Sequence, residues 1–169
     1  KTLSETLKEF PIFNSSLIEN DQIVLKDYIN IGIAVDTEEG LVVPVIQNAD
    51  KLSLEEISTK VKELAEKARN KKLLNTNLVN RTITVSSLGK LGGTGFTPII
   101  NPPDVAIISM SKTYKRLVLA EELDIMPIAM SYDHRVINGA DAGRFMVFLK
   151  DILDNFNDWY IANILFYRS

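Results

Sequence analysis

The strongest constraint on the fold is a helix that begins at Ser53. Ser53 and Glu56 form a capping box, in which the serine and a glutamate three residues later satisfy backbone N–H groups at the helix start. The residues that follow repeat apolar side chains at helical spacing, and charged side chains occupy the other face. The apolar stripe consists of Ile57, Val61, Leu64, Ala65 and Ala68. A helix with one apolar face packs against another element, so the rest of the chain must supply that surface.

Segments on both sides of this helix alternate apolar and polar residues, which is the pattern of half-buried strands. Residues 23–35 are predicted to form one strand and residues 41–46 a second, joined by a turn at residues 37–40. Pro44 has no N–H group for a ladder and is predicted to lie at a sheet edge or an irregularity. Residues 82–85 and 105–109 are predicted strands, and residues 115–119 are predicted to form a hairpin arm with residues 124–130.

Two further helices complete the prediction. Leu3, Leu7 and Phe10 have helical spacing and are stopped by Pro11, and residues 12–16 are then predicted to be extended. A last helix carries a single apolar face from Phe145 to Phe156. The predicted fold class is therefore α/β (α+β): one domain over residues 1–169, with a mixed sheet and two long helices.

Composition excludes several functions. The 169 residues include 19 Lys plus Arg and 22 Asp plus Glu, so the net charge of −3 argues against a nucleic-acid binder. The chain has one His and no Cys, which excludes disulfides and thiolate sites and leaves little for a metal. Its longest apolar runs are too short to span a bilayer, so no membrane partner is expected.

The single histidine is the first candidate for chemistry. His134 follows a predicted strand and precedes a turn into a helix, which is where a rigid scaffold presents reactive groups. Asp133 and Arg135 flank it with opposite charges and can brace the segment. A hydrogen-bonded structural imidazole is the alternative at this point.

A glycine-rich segment with a serine is the second candidate. Residues 84–95 contain Ser86 and four glycines, but lack both the Walker spacing and a G-x-G-x-x-G motif followed by a helix. Ser86 is also outside a G-x-S-x-G elbow. A tight connection between strands is the alternative interpretation.

Taken together, these segments resemble a known family. Residues 131–140, SYDHRVINGA, resemble the D-H-R-x-x-[D/N]-G-A signature of the catalytic domain of dihydrolipoamide acyltransferases, the E2 components of 2-oxo acid dehydrogenase complexes. Residues 85–107 match a second block of this family, and residues 10–15 and 40–46 match two more. The four blocks occur in the family's order and cover nearly the whole chain.

The resemblance implies a fold, a reaction and site residues. The implied fold is a chloramphenicol-acetyltransferase-like mixed sheet flanked by helices, assembled as homotrimers with active sites between subunits. The implied reaction moves an acyl group between the thiols of dihydrolipoamide and coenzyme A. His134 is then the general base, and Ser86 stabilises the tetrahedral oxyanion. Asn138 stands where many members carry Asp and is assigned a hydrogen-bonding role that holds the loop.

The resemblance also implies partners. Trimers are expected to build a large cubic or dodecahedral core, with the apolar tail at residues 159–167 linking neighbouring trimers. The lipoyl group is expected on a separate domain. The lipoyl and peripheral-subunit-binding domains, and most of the family's amino-terminal portion, are absent from this sequence, and contacts with the E1 and E3 components run through the missing domains. Localisation is expected to be cytoplasmic in a bacterium or the mitochondrial matrix in a eukaryote.

The sequence also bears on acyl class and on rival functions. The segment GGTGFTPIIN at residues 92–101 is most similar to the acetyl class. A catalytically inactive core paralogue that binds the E3 component, and a small-molecule acetyltransferase of the chloramphenicol type, remain as alternatives. Retention of both His134 and Ser86 argues against the inactive paralogue.

Overall fold

A mixed β-sheet lies at the centre of the structure, a computed structural model that describes residues 1–89, 93–118 and 121–156. The helices are α1 (Thr2–Glu9), α2 (Leu54–Arg69) and α3 (Gly139–Asp154). The strands are β1 (Ser15–Ile18), β2 (Gln22–Leu25), β3 (Ile31–Ile33), β4 (Val35–Thr37), β5 (Gly40–Val42), β6 (Val45–Ile46), β7 (Ile83–Ser87), β8 (Ala106–Met110), β9 (Tyr114–Val118), β10 (Glu121–Ile125) and β11 (Ile128–Tyr132).

The central sheet has the strand order β11-β8-β7-β3-β6. Strands β3, β7 and β8 are parallel to one another, whereas β11 and β6 pair antiparallel at the two edges. The predicted mixed sheet is therefore confirmed. The other described strands form two-stranded hairpins, β1–β2, β4–β5 and β9–β10.

One face of this sheet carries the apolar core. Ile83 and Val85 of β7 point to this face, since side chains alternate along a strand, and both belong to the main apolar cluster. Leu7 of α1 and Phe145 of α3 pack into the same cluster. Phe145 is fully buried, with its ring centroid 4.2 Å from that of Phe13. Burying one large apolar side chain is worth about 1.5–3 kcal/mol, so this face holds the helices on the sheet.

The opposite face of the sheet, called the polar face here, carries the hydroxyl side chains of Thr84, Ser86, Ser109 and Ser131 beside Ile107, and an irregular segment over residues 96–104 crosses it. Ser109 on β8 donates a hydrogen bond to the carbonyl of Phe96 (3.0 Å), and Ser131 on β11 donates one to the carbonyl of Pro98 (2.6 Å). The crossing segment is therefore held on this face of the sheet by hydrogen bonds from side-chain hydroxyl groups to its backbone carbonyls.

The helix predictions are confirmed. Ser53 caps α2 with both bonds of the capping box present: its hydroxyl accepts from Glu56 N–H (3.1 Å), and Glu56 accepts from Ser53 N–H (2.7 Å). Helix α1 ends before Pro11, and α3 begins directly after Asn138.

The prediction of a single strand over residues 23–35 was wrong. This segment contributes β2, β3 and β4, which belong to three different sheets because each piece pairs with a different partner. The alternation of apolar and polar residues indicates which face of a strand is buried, but it does not indicate which strand pairs with it. Residues 41–46 are divided too, between β5 and β6. Pro44 lies at the division, as predicted, and its carbonyl accepts a hydrogen bond from Ile33 N–H (2.8 Å).

Two other local predictions need correction. Residues 12–16 are not extended throughout: Pro11–Asn14 forms a 3-10 helix, because proline presets a helical φ at the first position of a turn. The arm that pairs with β9 is β10, whereas β11 returns to the central sheet. Pro127 separates β10 from β11, which is consistent with its lack of a backbone donor.

Residues 90–92, 119–120 and 157–169 lie outside the described part, so the predictions for the apolar tail at residues 159–167 and for part of the glycine-rich segment fall there. Within the described part, no helix is both long and apolar enough to cross a membrane.

Candidate active site

The loop that carries His134 continues the end of β11. Asp133 N–H donates to the carbonyl of Val105 (2.8 Å), which extends the ladder between β11 and β8 by one residue. The carbonyl of Asp133 then accepts from the N–H groups of Val136 (3.0 Å) and Ile137 (2.9 Å). Ile137 is fully buried and anchors the turn in the core. His134 is therefore presented by a turn that is fixed at both ends.

The predicted brace between Asp133 and Arg135 is confirmed. Arg135 donates from Nη2 (2.6 Å) and Nε (3.0 Å) to the two carboxylate oxygens, and its backbone N–H also donates to Oδ1 (3.0 Å). These hydrogen bonds lower the pKa of Asp133 and raise that of Arg135. Asp133 and Arg135 flank His134 and are joined by these side-chain hydrogen bonds. This bidentate ion pair holds the backbone at His134 in a single geometry.

The imidazole of His134 is free of hydrogen bonds to the described residues. The side chain is exposed, and its ring centroid lies 5.6 Å from the ring of Tyr132 at an angle of 44°. No bond of the kind that holds a structural imidazole is present in this part of the chain. Both ring nitrogens can reach an external ligand.

Asn138 caps the helix that follows. Its Oδ1 accepts from Asp141 N–H (2.9 Å), and its Nδ2 donates to the carboxylate of Asp141. The side chain thus closes the His134 turn and starts α3.

Ser86 lies on the polar face of the sheet. It pairs in register with Ser109, which in turn pairs with Ala129 of β11. The residue is half-buried, and its hydroxyl has no hydrogen-bond partner among the described residues. Ser87 points to the helix-covered face, because it shares the parity of Val85 along β7.

The structure does not bring Ser86 and His134 together within one chain. Tyr132 lies three residues beyond Ala129 and two strand spacings from β7, which places its Cα about 14 Å from that of Ser86. His134 follows two residues later, at the end of the sheet where β7 and β8 begin. The two candidate residues therefore lie at opposite ends of the same sheet.

One buried network near this site has no signal in the sequence. The carboxylate of Asp104 accepts from Arg81 Nε (2.7 Å) and from the hydroxyl of Thr84 (2.7 Å), and Arg81 Nη2 donates to the carbonyl of Asn101 (3.0 Å). These bonds fix the crossing segment at its carboxyl end. Gly32 leaves room for the arginine, since a Cβ there would lie 2.4 Å from Arg81 Cδ. No sequence spacing signals this contact, which joins residues 23 positions apart.

Within the described residues, no group of three or more His, Asp and Glu side chains is placed to hold a metal ion. What these residues can do is acid–base and hydrogen-bond chemistry: an exposed imidazole on a fixed turn and an unpaired hydroxyl on a strand.

Comparison with known proteins assigns first the fold and then the family. A chloramphenicol acetyltransferase superposes on the chain with a TM-score of 0.62 at 18% identity, over 90% of this chain and 74% of the other, so the two share a fold. The chain belongs to the 2-oxoacid dehydrogenases acyltransferase (catalytic domain) family, whose model matches residues 1–161. The fold and the family expected from the sequence are both confirmed.

Individual relatives are closely similar. The acetyltransferase component of the pyruvate dehydrogenase complex of Azotobacter vinelandii is 48% identical over 158 residues, which cover 90% of this chain and 25% of that protein. The corresponding component of Pseudomonas aeruginosa is 46% identical, with 90% and 29% covered. This chain thus spans only about a quarter to three tenths of the length of these curated relatives.

A solved structure of the Azotobacter vinelandii dihydrolipoamide acetyltransferase has a TM-score of 0.90 at 46% identity, with 94% of this chain and 67% of that chain covered. It was used to investigate the role of a serine, a histidine and an asparagine in the catalytic mechanism of that enzyme. In that enzyme the histidine and the asparagine are four residues apart, as are His134 and Asn138.

Proposed function

We propose that this chain transfers an acetyl group between coenzyme A and dihydrolipoamide. The observation that carries this proposal is a pair of unengaged functional groups at family motif positions, the His134 imidazole and the Ser86 hydroxyl, on a fold shared with acetyltransferases. The acetyl class rests on the GGTGFTPIIN segment and on the acetyltransferase relatives.

His134 acts as the general base in this proposal. An alkyl thiol has a pKa of roughly 8.5, taking Cys as the model, so it is mostly protonated at neutral pH, and its thiolate is the nucleophile. A neutral imidazole takes the thiol proton as the new C–S bond forms and returns it to the leaving thiol as the old C–S bond breaks. Such general-base help is worth about 10²–10⁴-fold in rate.

Ser86 stabilises the oxyanion of the tetrahedral intermediate. The thioester carbonyl oxygen gains negative charge when the thiol attacks, and a hydroxyl aimed at it contributes about 10²–10³-fold. The unpaired hydroxyl of Ser86 on the polar face suits this role. The hydroxyl of Ser87 lies on the other side of the strand.

Ser86 and His134 of one chain lie at opposite ends of its sheet, so we infer that the two groups acting on one substrate come from different chains. A base and an oxyanion donor must each lie within hydrogen-bond reach of the same reacting centre, at about 2.6–3.2 Å. Ser86 Cα already lies about 14 Å from Tyr132 Cα, and the chain leads on from Tyr132 to His134 at the end of the sheet away from Ser86, which favours a site that takes the two side chains from different chains. We therefore propose a homotrimer, in which the His134 end of one sheet faces the Ser86 end of the next, with the active site between subunits.

This trimer is proposed to be the unit of a larger core. A solved relative with a TM-score of 0.90 and 47% identity is the cubic core of a pyruvate dehydrogenase multienzyme complex, with 94% of this chain and 67% of that chain covered. In such a core the lipoyl group arrives on a separate domain and coenzyme A is the second substrate. The apolar tail at residues 159–167 is proposed as the contact between trimers.

The test is acetyl transfer from acetyl-CoA to free dihydrolipoamide by the purified chain, followed as formation of S-acetyldihydrolipoamide together with free coenzyme A, with dihydrolipoamide omitted as the control. Succinyl-CoA is the comparison for acyl class. His134→Ala should lower turnover by about 10²–10⁴-fold with little change in coenzyme A affinity, because it removes proton transfer and not binding. Near-full turnover by His134→Ala would show that the imidazole is structural.

A further inference from the structure

A cleft of about 520 Å³, whose lining includes neither Ser86 nor His134, lies between the β1–β2 hairpin and the Pro102–Pro103 turn. Its polar lining includes Ser16, Lys26 and Arg81, and its apolar lining includes Val24, Leu78 and Pro102. Val24 and Leu78 are 42% and 40% exposed, so their apolar surface is open to a ligand. The acyltransferase function uses none of these side chains.

Lys26 is a half-buried cation in this cleft. Its Nζ donates to the carbonyl of Arg81 (3.1 Å), and no carboxylate among the described residues lies within ion-pair distance. Burial lowers the pKa of Lys26, and the neighbouring Arg81 guanidinium lowers it too, while Asp104 at longer range raises it. A partly desolvated ammonium group gains free energy from an anion at contact distance.

The other charges near the cleft neutralise each other. Arg81 Nε lies 2.7 Å from Asp104 Oδ2, and the Asp104 side chain is fully buried. Lys26 is therefore the uncompensated positive charge. With a net charge of one positive unit, the cleft suits a ligand with one negative charge better than a ligand with two.

Ser16 supplies a second, independent indication of a ligand. The residue is only 4% exposed, and its hydroxyl is buried without a hydrogen-bond partner in the described part of the chain. Buried hydroxyl groups are almost always paired, since an unpaired one loses its hydrogen bonds to water. Ser16 is one of the residues that line the same cleft as Lys26.

We propose that this cleft binds a small organic carboxylate. Its carboxylate group accepts a hydrogen bond from Lys26 Nζ and a second from the Ser16 hydroxyl, which turns toward the cleft by rotation about χ1, and its apolar part lies against Val24, Leu78 and Pro102. Ser86 and His134 do not line this cleft, so failure of either proposal leaves the other standing.

Butyrate and butyramide form the test, because they have the same shape and differ in charge. The purified chain is titrated with each by calorimetry at constant ionic strength, with inorganic phosphate as the third ligand. Butyrate should bind saturably and butyramide should not. Lys26→Met should weaken butyrate binding by about tenfold or more, the range of a charge-assisted hydrogen bond.

Matched variants make the result specific. Lys60→Met removes an exposed lysine on α2 and should leave butyrate binding unchanged. Ser16→Ala should weaken binding several-fold, and it serves as the test if Lys26→Met does not fold. Equal binding of butyrate and butyramide, binding of phosphate in preference to butyrate, an equal loss in Lys60→Met, or no binding because another copy covers the cleft would each overturn the proposal.

Discussion

A serine hydroxyl accelerates acyl transfer only where its O–H meets the oxygen that becomes negatively charged. Ser86 and Ser87 are adjacent in sequence but lie on opposite faces of β7. Ser86 shares the polar face with Thr84 and Ser109, whereas Ser87 shares its face with the apolar core. The two serines therefore form an internal pair for testing the mechanism.

Ser86→Ala should lower kcat by about 10²–10³-fold while the KM values for both thiol substrates stay nearly unchanged, since the hydroxyl matters mainly as charge develops on oxygen. Ser87→Ala should retain most activity. Steady-state kinetics in both directions measures this. A larger loss in Ser87→Ala would reverse the assignment.

The Asp133–Arg135 pair predicts a pH dependence of stability. Hydrogen bonds from Arg135 lower the pKa of Asp133 in the folded chain. A depressed carboxyl pKa contributes stability that is present above the unfolded pKa of about 3.9 and lost as pH falls through the folded pKa. Arg135→Met should therefore lower the free energy of unfolding slightly at neutral pH, and this difference should vanish in more acidic solution.

Urea unfolding across the acidic range measures the effect. Arg116→Met is the control, because it removes an exposed arginine without breaking an ion pair of the described residues. A deficit in Arg135→Met that persists unchanged at low pH would mean that the lost stability comes from packing of the arginine stem.

At the scale of elements, capped helix starts hold the fold in place. Ser53 and Asn138 cap α2 and α3, the two longest described helices, each with a side-chain oxygen that accepts a backbone N–H. The first turn of a helix leaves N–H groups without partners, and the cap satisfies one of them. The Asn138 cap also fixes the end of the His134 turn, so one side chain serves both the helix and the candidate site.

Ser53→Ala should destabilise the protein by about 1 kcal/mol, because it removes the α2 cap. Ser58→Ala is the matched control: Ser58 is exposed inside α2, where alanine is the better helix former, so this variant should be neutral or slightly stabilising. Chemical denaturation of both variants decides the matter. Equal losses would show that the cap contributes nothing specific.

At the scale of the whole molecule, the separation of Ser86 from His134 predicts complementation between inactive chains. In a trimer, each site takes His134 from one subunit and Ser86 from its neighbour. Random mixing of His134→Ala and Ser86→Ala chains in equal amounts should then restore about a quarter of wild-type activity, since one neighbour pair in four has both groups intact.

Co-expression followed by the acetyl transfer assay measures this recovery, and native mass spectrometry verifies that mixed oligomers form. Mixing His134→Ala with the double variant His134→Ala/Ser86→Ala is the control and should restore nothing. Mixed oligomers that stay as inactive as their components would show that both groups act within one chain.

The sequence by itself determined the elements whose signals are local. The capping box at Ser53, the stop at Pro11 and the irregularity at Pro44 depend on a few neighbouring residues, and all three are present in the structure. The D-H-R segment at residues 133–135 is also recognisable from the sequence, because the contacts that shape it are local. Its brace, its turn and its helix cap join residues only a few positions apart along the chain.

Only the tertiary structure decided which strands pair and where the candidate groups lie. Alternation specifies a buried face, but the partner of a strand is chosen by packing across the whole chain, which is why residues 23–35 divide among three sheets. The same physics governs the site. Ser86 and His134 stand in adjacent motif blocks, yet the antiparallel pairing of β11 with β8 carries them to opposite ends of the sheet, a separation that spacing along the chain does not record.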